Sequence, residues 1–236
     1  LDPMSGRFYS GSNLRRAWVL LTHERTFKLM RSVGLLYAAT QDERFAEWVA
    51  DGMLKAAEFV ETAEAEGWER SRFGATAVWY QPLYDATALL GLANAYALTR
   101  ESEAYSAQDH KRIRESIFEA RIPEQIAFLR NIGGLQNMAA YAAAAVAVSG
   151  ELYDRDDWLS FGTGSQYGFI RWLKANVPNG PNGRPDGLWN EQTTFYHFYA
   201  LAPMITLYQL ADDLSADNQA RFEAMFEAPM KLLRSD

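Results

Sequence analysis

Apolar residues recur along this chain at three- and four-residue steps with polar residues between them, a period that predicts helix almost everywhere. Leu29, Val33, Leu36 and Tyr37 follow it after Thr22, whose hydroxyl suits a helix N-cap. Asp42 is placed to cap a second helix, in which Phe45, Val49, Met53, Ala56, Phe59 and Val60 form one stripe. Gly67 and Gly74 bracket an irregular connection that carries aromatic residues. A third helix is predicted from Pro82 to Leu98, and a fourth from Gln108 to Leu129. Pro123 lies inside the fourth pattern and is expected to kink or split it.

Residues 136–148 predict a fifth helix, rich in alanine and therefore able to sit close to its neighbours as an inner, fully packed element. A shorter helix is expected over Ser165–Ala175. The stretch Val177–Gly187 reads VPNGPNGRPDG, a succession of Pro, Asn, Asp and Gly that makes turns. Helix resumes near Trp189 and runs to Leu210 with a bend at Pro203, and Ser215 opens a last one through Leu233. No run alternates convincingly enough to make a strand. Seven or eight helices with mostly short loops predict an all-α fold, a single domain over residues 1–236. That number exceeds a four-helix bundle and favours antiparallel pairs set in a ring or arc.

Composition narrows the function. The 236 residues include 48% hydrophobic side chains and seven tryptophans that need a core, which excludes a disordered chain. With no cysteine, a disulfide scaffold, a thiolate metal site and a cysteine nucleophile are excluded. The net charge of −7 argues against a nucleic-acid partner, because neutralising phosphates needs a face rich in Lys and Arg. The most apolar segment, Ala139–Val148, is too short for a membrane helix, which needs about 20 apolar residues. No signal peptide opens the chain, and Leu1-Asp2-Pro3 reads as an internal cut, with the native chain expected to continue past Asp236. His23, His110 and His197 fall in separate segments without ligand-like spacing, so no metal or cofactor is implied. Gly162-Thr-Gly-Ser-Gln-Tyr-Gly168 looks like a phosphate loop but follows no strand, and no Gly-x-Ser-x-Gly elbow is present.

The densest polar and aromatic stretch is DGLWNEQTTFYHFYAL, residues 186–201, entering a helix from the turn-rich loop. Trp189, Tyr196 and Tyr199 offer flat surfaces on which sugars stack; the plainer alternative is an aromatic helix in the core, with His197 satisfied by hydrogen bonds. A second cluster, Arg130-Asn131-Ile-Gly-Gly-Leu-Gln136-Asn137, leaves Asn131 at a helix-to-helix junction, where it would serve equally as a C-cap. An amide that donates to a carboxylate offsets its charge, and a tyrosine can move a proton. Together Asn131 and Tyr196 suggest proton abstraction beside a carboxylate, as at C5 of a uronic acid. A free phenol titrates near ~10, so the ionised form needs cationic or hydrogen-bonding support, for which His197, Arg184 and His23 are candidates.

The segment DGLWNEQTTFYHFYAL resembles the helix-opening motif of the heparinase II/III-like and related alginate lyase families, DG-x-W-x-E-x-(S/T)-x-x-YH-x-YAL. Asn131-Ile-Gly-Gly-Leu-Gln136 before the alanine-rich helix resembles their Asn-His-Gly or Asn-Trp motif, and the 65-residue interval from Asn131 to Tyr196 is compatible with the same arrangement. The resemblance covers most of the chain in helix order and rests on these two motifs. It implies an incomplete (α/α) toroid, followed in such proteins by antiparallel β-sheet domains that complete the cleft. It implies β-elimination on an anionic, uronate-containing polysaccharide, with Tyr196 as catalytic base and acid and Asn131 neutralising the carboxylate. Trp189, Glu191 and His197 would line or brace the cleft, as would Trp79, Tyr80 and Gln81. Arg184 and Gln136 complete the expected substrate-binding set. Periplasmic or secreted bacterial origin is implied by the same resemblance.

Two features depart from the family pattern. Many relatives carry histidine directly after the asparagine, where this chain has Ile132, and the β-domain that contributes a further His or Arg to the cleft is not among these 236 residues. The net charge of −7 separately sits awkwardly with an anionic substrate. Two other functions remain open. One is an (α/α)-barrel glycoside hydrolase using Asp186 with Glu191, and the other is a non-catalytic helical scaffold whose groove binds a glycan or a protein.

Overall fold

The computed structural model describes residues 12–65, 78, 79, 81–132, 137–164, 166–190, 193–212 and 214–233. Ten α-helices account for most of them: α1 Ser12–Thr40, α2 Glu43–Ala65, α3 Pro82–Thr99, α4 Ala107–Ile113, α5 Ala120–Asn131, α6 Asn137–Leu152, α7 Asp156–Thr163, α8 Phe169–Asn176, α9 Thr194–Leu210 and α10 Ala216–Leu233. Among the described residues there is no strand, only an isolated antiparallel bridge between Asn179 and Pro185 that closes the turn-rich loop. The fold is all-α. No described helix is long and apolar enough to cross a membrane.

Several predicted boundaries move, each for a physical reason. Thr22 does not start a helix: α1 begins ten residues earlier, and Thr22 sits inside it, its carbonyl accepting from the Thr26 hydroxyl at 2.8 Å. Asp42 does cap α2, its Oδ1 accepting from the Arg44 N–H at 3.1 Å. The fourth predicted helix divides into α4, a π-helical segment Arg114–Glu119, and α5. Pro123 cannot donate to the carbonyl of Glu119 and its ring crowds that oxygen, so the wider turn ends where the proline acts. The helix expected at Trp189 begins only at Thr194, where the Thr193 hydroxyl accepts from the Tyr196 N–H at 3.1 Å. Helix α7 was outside the predicted set, and the helix expected from Ser165 starts at Phe169.

The chain divides into two compact units, α1–α4 and α5–α10. In the first, α3 lies against α1 and α2, and Gly34 and Gly91 let α1 and α3 approach closely, their α-carbons facing Leu98 and Phe27. The stripe expected on α2 packs inward, with Val49, Met53 and Val60 fully buried.

The second unit is organised around α6, which touches α5, α7, α8 and α9. Its alanines at 139, 140, 142–145 and 147 are all fully buried, as expected of an inner helix. Small residues on the neighbour complete the fit: a Cβ on Gly162 of α7 would stand 2.5 Å from the Ala143 carbonyl oxygen and 2.8 Å from the Ala147 Cβ. Gly168 likewise faces the carbonyls of Phe161 and Gly162. The glycines of the 162–168 segment therefore serve close backbone packing rather than a phosphate.

Candidate active site

Tyr196 occupies the first turn of α9 and is 41% exposed. Among the described residues its hydroxyl has no hydrogen-bond partner, so the phenol is open to a ligand. Its neighbours are aromatic. Phe195 meets it edge-on at 5.5 Å between centroids and stacks on Tyr199 at 5.9 Å and 10°. Phe195 and Phe198 are 68% and 54% exposed, which makes the opening turns of α9 an aromatic surface rather than a core helix.

Tyr199 also meets Tyr141 of α6, with centroids 4.8 Å apart. That contact sets the first turns of α9 beside the first turns of α6, which begins six residues after Asn131. Asn131 closes α5, is exposed, and uses one amide hydrogen on the Ala127 carbonyl at 2.8 Å. The other hydrogen is available to an acceptor. Ile132, the next residue, is 3% exposed and ends the helix with extended backbone.

His197, the next residue on α9, faces the interior instead. It is 1% exposed; its Nδ1 accepts the Trp189 N–H at 3.2 Å, and its Nε2 lies 2.9 Å from the Met225 carbonyl oxygen. Accepting at Nδ1 fixes the proton on Nε2, so the ring is the neutral tautomer and donates to Met225. Burial lowers its pKa, and the bond to Met225 opposes that only in part. His197 thus supplies no positive charge to Tyr196. Trp189 is equally buried, at 1%, and both residues brace the segment rather than face solvent.

The loop before Trp189 is pinned to α10 at both ends. At its start, the Arg221 Nη1 donates to the Val177 carbonyl at 2.6 Å while the guanidinium pairs with Asp217 at 3.0 Å. At its end, Gly187 has φ +84°, and a Cβ there would collide with the Ala224 carbonyl oxygen. Asp186 is exposed and accepts the Leu188 N–H at 3.1 Å. Arg184 is exposed, and its backbone N–H donates to the Asn182 side chain. The roles of Gly187, Arg221, Met225 and Tyr141 carry no signal in periodicity alone; the spacing of Asp217 and Arg221 as a helical i, i+4 pair was the available hint.

Trp79 and Gln81 belong to the first unit. Trp79 is 2% exposed; its indole donates to the His23 Nδ1 at 2.9 Å, and its ring meets Phe27 edge-on at 5.6 Å. The fully buried carboxylate of Asp85 accepts the Val78 and Trp79 N–H groups at 3.0 and 2.7 Å and so fixes the approach to α3. Gln81 precedes that helix and its carbonyl accepts from Tyr84 and Asp85. Glu191, Tyr80 and Gln136 lie outside the described residues, which leaves the Asp186–Glu191 pair without a geometry. Among the described residues no group of His, Asp and Glu is arranged to hold a metal ion.

No family model matches the chain. It is 27% identical over 188 residues to a protein named alginate lyase from Stenotrophomonas maltophilia, an alignment covering 78% of this chain and 24% of that protein. The chain thus spans about a quarter of the relative's length.

Proposed function

We propose that this chain is the helical part of a polysaccharide lyase that cleaves a uronate-containing glycan by β-elimination, its helices forming an incomplete (α/α) toroid. The observation that carries the reading is Tyr196: an open phenol on the first turn of α9, in an aromatic surface beside the α6 N-terminus. The likeness to a protein named alginate lyase supports the same substrate class.

In this reading the Asn131 amide donates to the uronate carboxylate and stabilises the negative charge that develops as the C5 proton leaves. The ionised Tyr196 takes that proton. The electrons of the C5–H bond become the C4–C5 double bond, the C4–O4 bond breaks, and the Tyr196 phenol returns the proton to O4. No water is consumed, and the base is restored for the next turnover. Exposed Phe195 and Phe198 give the sugar rings flat apolar partners.

The test is absorbance at about 235 nm, where a conjugated unsaturated uronate absorbs, during incubation with a panel of uronate polysaccharides; removing the base should abolish the rise. A signal lost in Tyr196→Phe and sharply reduced in Asn131→Ala is the expected result. New reducing ends without absorbance would replace the lyase by a hydrolase. Glycan binding without either product, unaffected by Tyr196→Phe, would leave a binding scaffold.

A further inference from the structure

Helix α10 contains Pro229, and a proline has no N–H to give the carbonyl four residues back. That carbonyl belongs to Met225, and it is the one that His197 reaches from α9, at 2.9 Å. The other ring nitrogen holds the Trp189 N–H at 3.2 Å. One buried imidazole therefore joins three pieces of chain: the approach to α9, α9 itself and α10. On the same stretch of α10 the Ala224 carbonyl fits against Gly187, so the segment 187–189 is fastened at two successive positions.

We propose that His197 is a positioning residue for the elimination reaction, and that the Met225 carbonyl left open by Pro229 is its built-in socket. This rests on the reading of Tyr196 as the base. Tyr196 is the adjacent residue on the same helical turn, with its own phenol unrestrained by any described hydrogen bond. Its placement comes from the backbone of that turn. The turn is held by the Thr193 cap on one side and by the His197 bonds on the other. Loosening the imidazole lets the turn shift against α6 and α10. Errors of about 1 Å in a reacting group cost on the order of a hundredfold in rate.

Two substitutions separate positioning from mere stability. His197→Phe keeps an aromatic ring of similar bulk and loses both bonds. His197→Gln has a carbonyl oxygen that can accept from Trp189 and an amide that can donate to Met225. Steady-state elimination rates on the best uronate polysaccharide, per folded molecule, should show kcat down by about tenfold to a hundredfold in His197→Phe with KM changed little. His197→Gln should recover most of that loss. Equal kcat in His197→Phe and the parent, or no recovery in His197→Gln, would overturn the proposal.

A second readout does not need turnover. Hydrogen exchange should show the Trp189 amide exchanging faster in His197→Phe than in the parent, while the amides of α6 stay equally protected in both. If Trp189 exchanges no faster in His197→Phe, the imidazole does not hold the segment and the proposal fails. If the parent eliminates nothing but Trp189 protection depends on His197, the lyase reading fails and the positioning of the segment stands without it.

Discussion

His197 donates to the carbonyl of Met225 across 2.9 Å, and Met225 is the residue whose helical partner position is taken by Pro229. A helix-breaking residue and a buried histidine on another helix thus answer each other. Either alone would leave a polar group unsatisfied in the interior, at a cost of about 1–3 kcal/mol.

That pairing predicts a non-additive mutant cycle. His197→Phe should destabilise the parent by about 2–3 kcal/mol, because both the Met225 carbonyl and the Trp189 N–H lose a partner. In a Pro229→Ala background residue 229 regains an N–H for Met225, so the same change should cost about 1 kcal/mol less. Urea unfolding of the four proteins measures the difference. Additivity within about 0.3 kcal/mol would mean the carbonyl is not shared in this way.

Stability should fall between neutral and mildly acidic pH. Burial holds the pKa of His23 and of His197 below the ordinary imidazole value of 6.5. Both rings accept a hydrogen bond at Nδ1, from Trp79 and Trp189 respectively. Below 6.5 the unfolded chain takes up protons that the folded chain refuses, so the folded state loses ground until pH passes the lowered folded values. Above 6.5 these two groups contribute no pH dependence. Thermal melts at intervals between pH 5 and 8 should show the midpoint rising with pH and then levelling.

A separate loss is expected in stronger acid. Hydrogen bonds from Arg112 and Ser116 hold the Glu61 carboxyl at about 2, against an ordinary 4.5. The depressed value means its contribution is complete above 4.5 and disappears as pH falls toward 2. Both charged partners are about 40% exposed, so Glu61→Gln should cost no more than about 1 kcal/mol at pH 7. The check is denaturant unfolding of both proteins at pH 7 and near pH 2, where the difference should shrink.

Gly162→Ala sets helix propensity against packing. Alanine is the better helix former by about 1 kcal/mol. Its Cβ would stand 2.5 Å from the Ala143 carbonyl oxygen and 2.8 Å from the Ala147 Cβ, and α7 would have to move off α6. Overpacking of that kind costs about 1–3 kcal/mol, so a net destabilisation of about 1–2 kcal/mol is expected by urea unfolding. A stabilised variant would show that the two helices are not in close contact.

The helical period of the sequence carries the elements whose stripe or cap is local. Asp42 and the Val49, Met53, Val60 stripe of α2 are of this kind, as are Ser215, which accepts from the Asn218 N–H at 3.3 Å, and the alanines of α6. It does not carry depth. Trp189, His197 and Trp79 read as cleft residues by type, yet all three are almost wholly buried, because which side of a helix or loop faces a second element depends on distant chain. Thr22 misleads because a hydroxyl inside a helix and one at its cap look alike in sequence. Helix α7 buries Trp158 and, one turn on, Gly162, so no second apolar side chain marks its inward face, whereas the equally short α8 shows Phe169, Trp172 and Leu173. Tyr196 was legible as a candidate base from its motif, while the socket that its neighbour His197 finds on α10 depends on Pro229, thirty-two residues after that histidine.

Helix α6 has neighbours on nearly every side, and only Met138, Tyr141, Val148 and Glu151 along it are not buried. A larger side chain at any alanine would have to displace another helix, so this part of the chain is closed to gradual change. The freedom to diverge lies at its rim, in the turn-rich loop and the aromatic opening of α9. Substitutions there would change what the surface presents while leaving the centre unaltered.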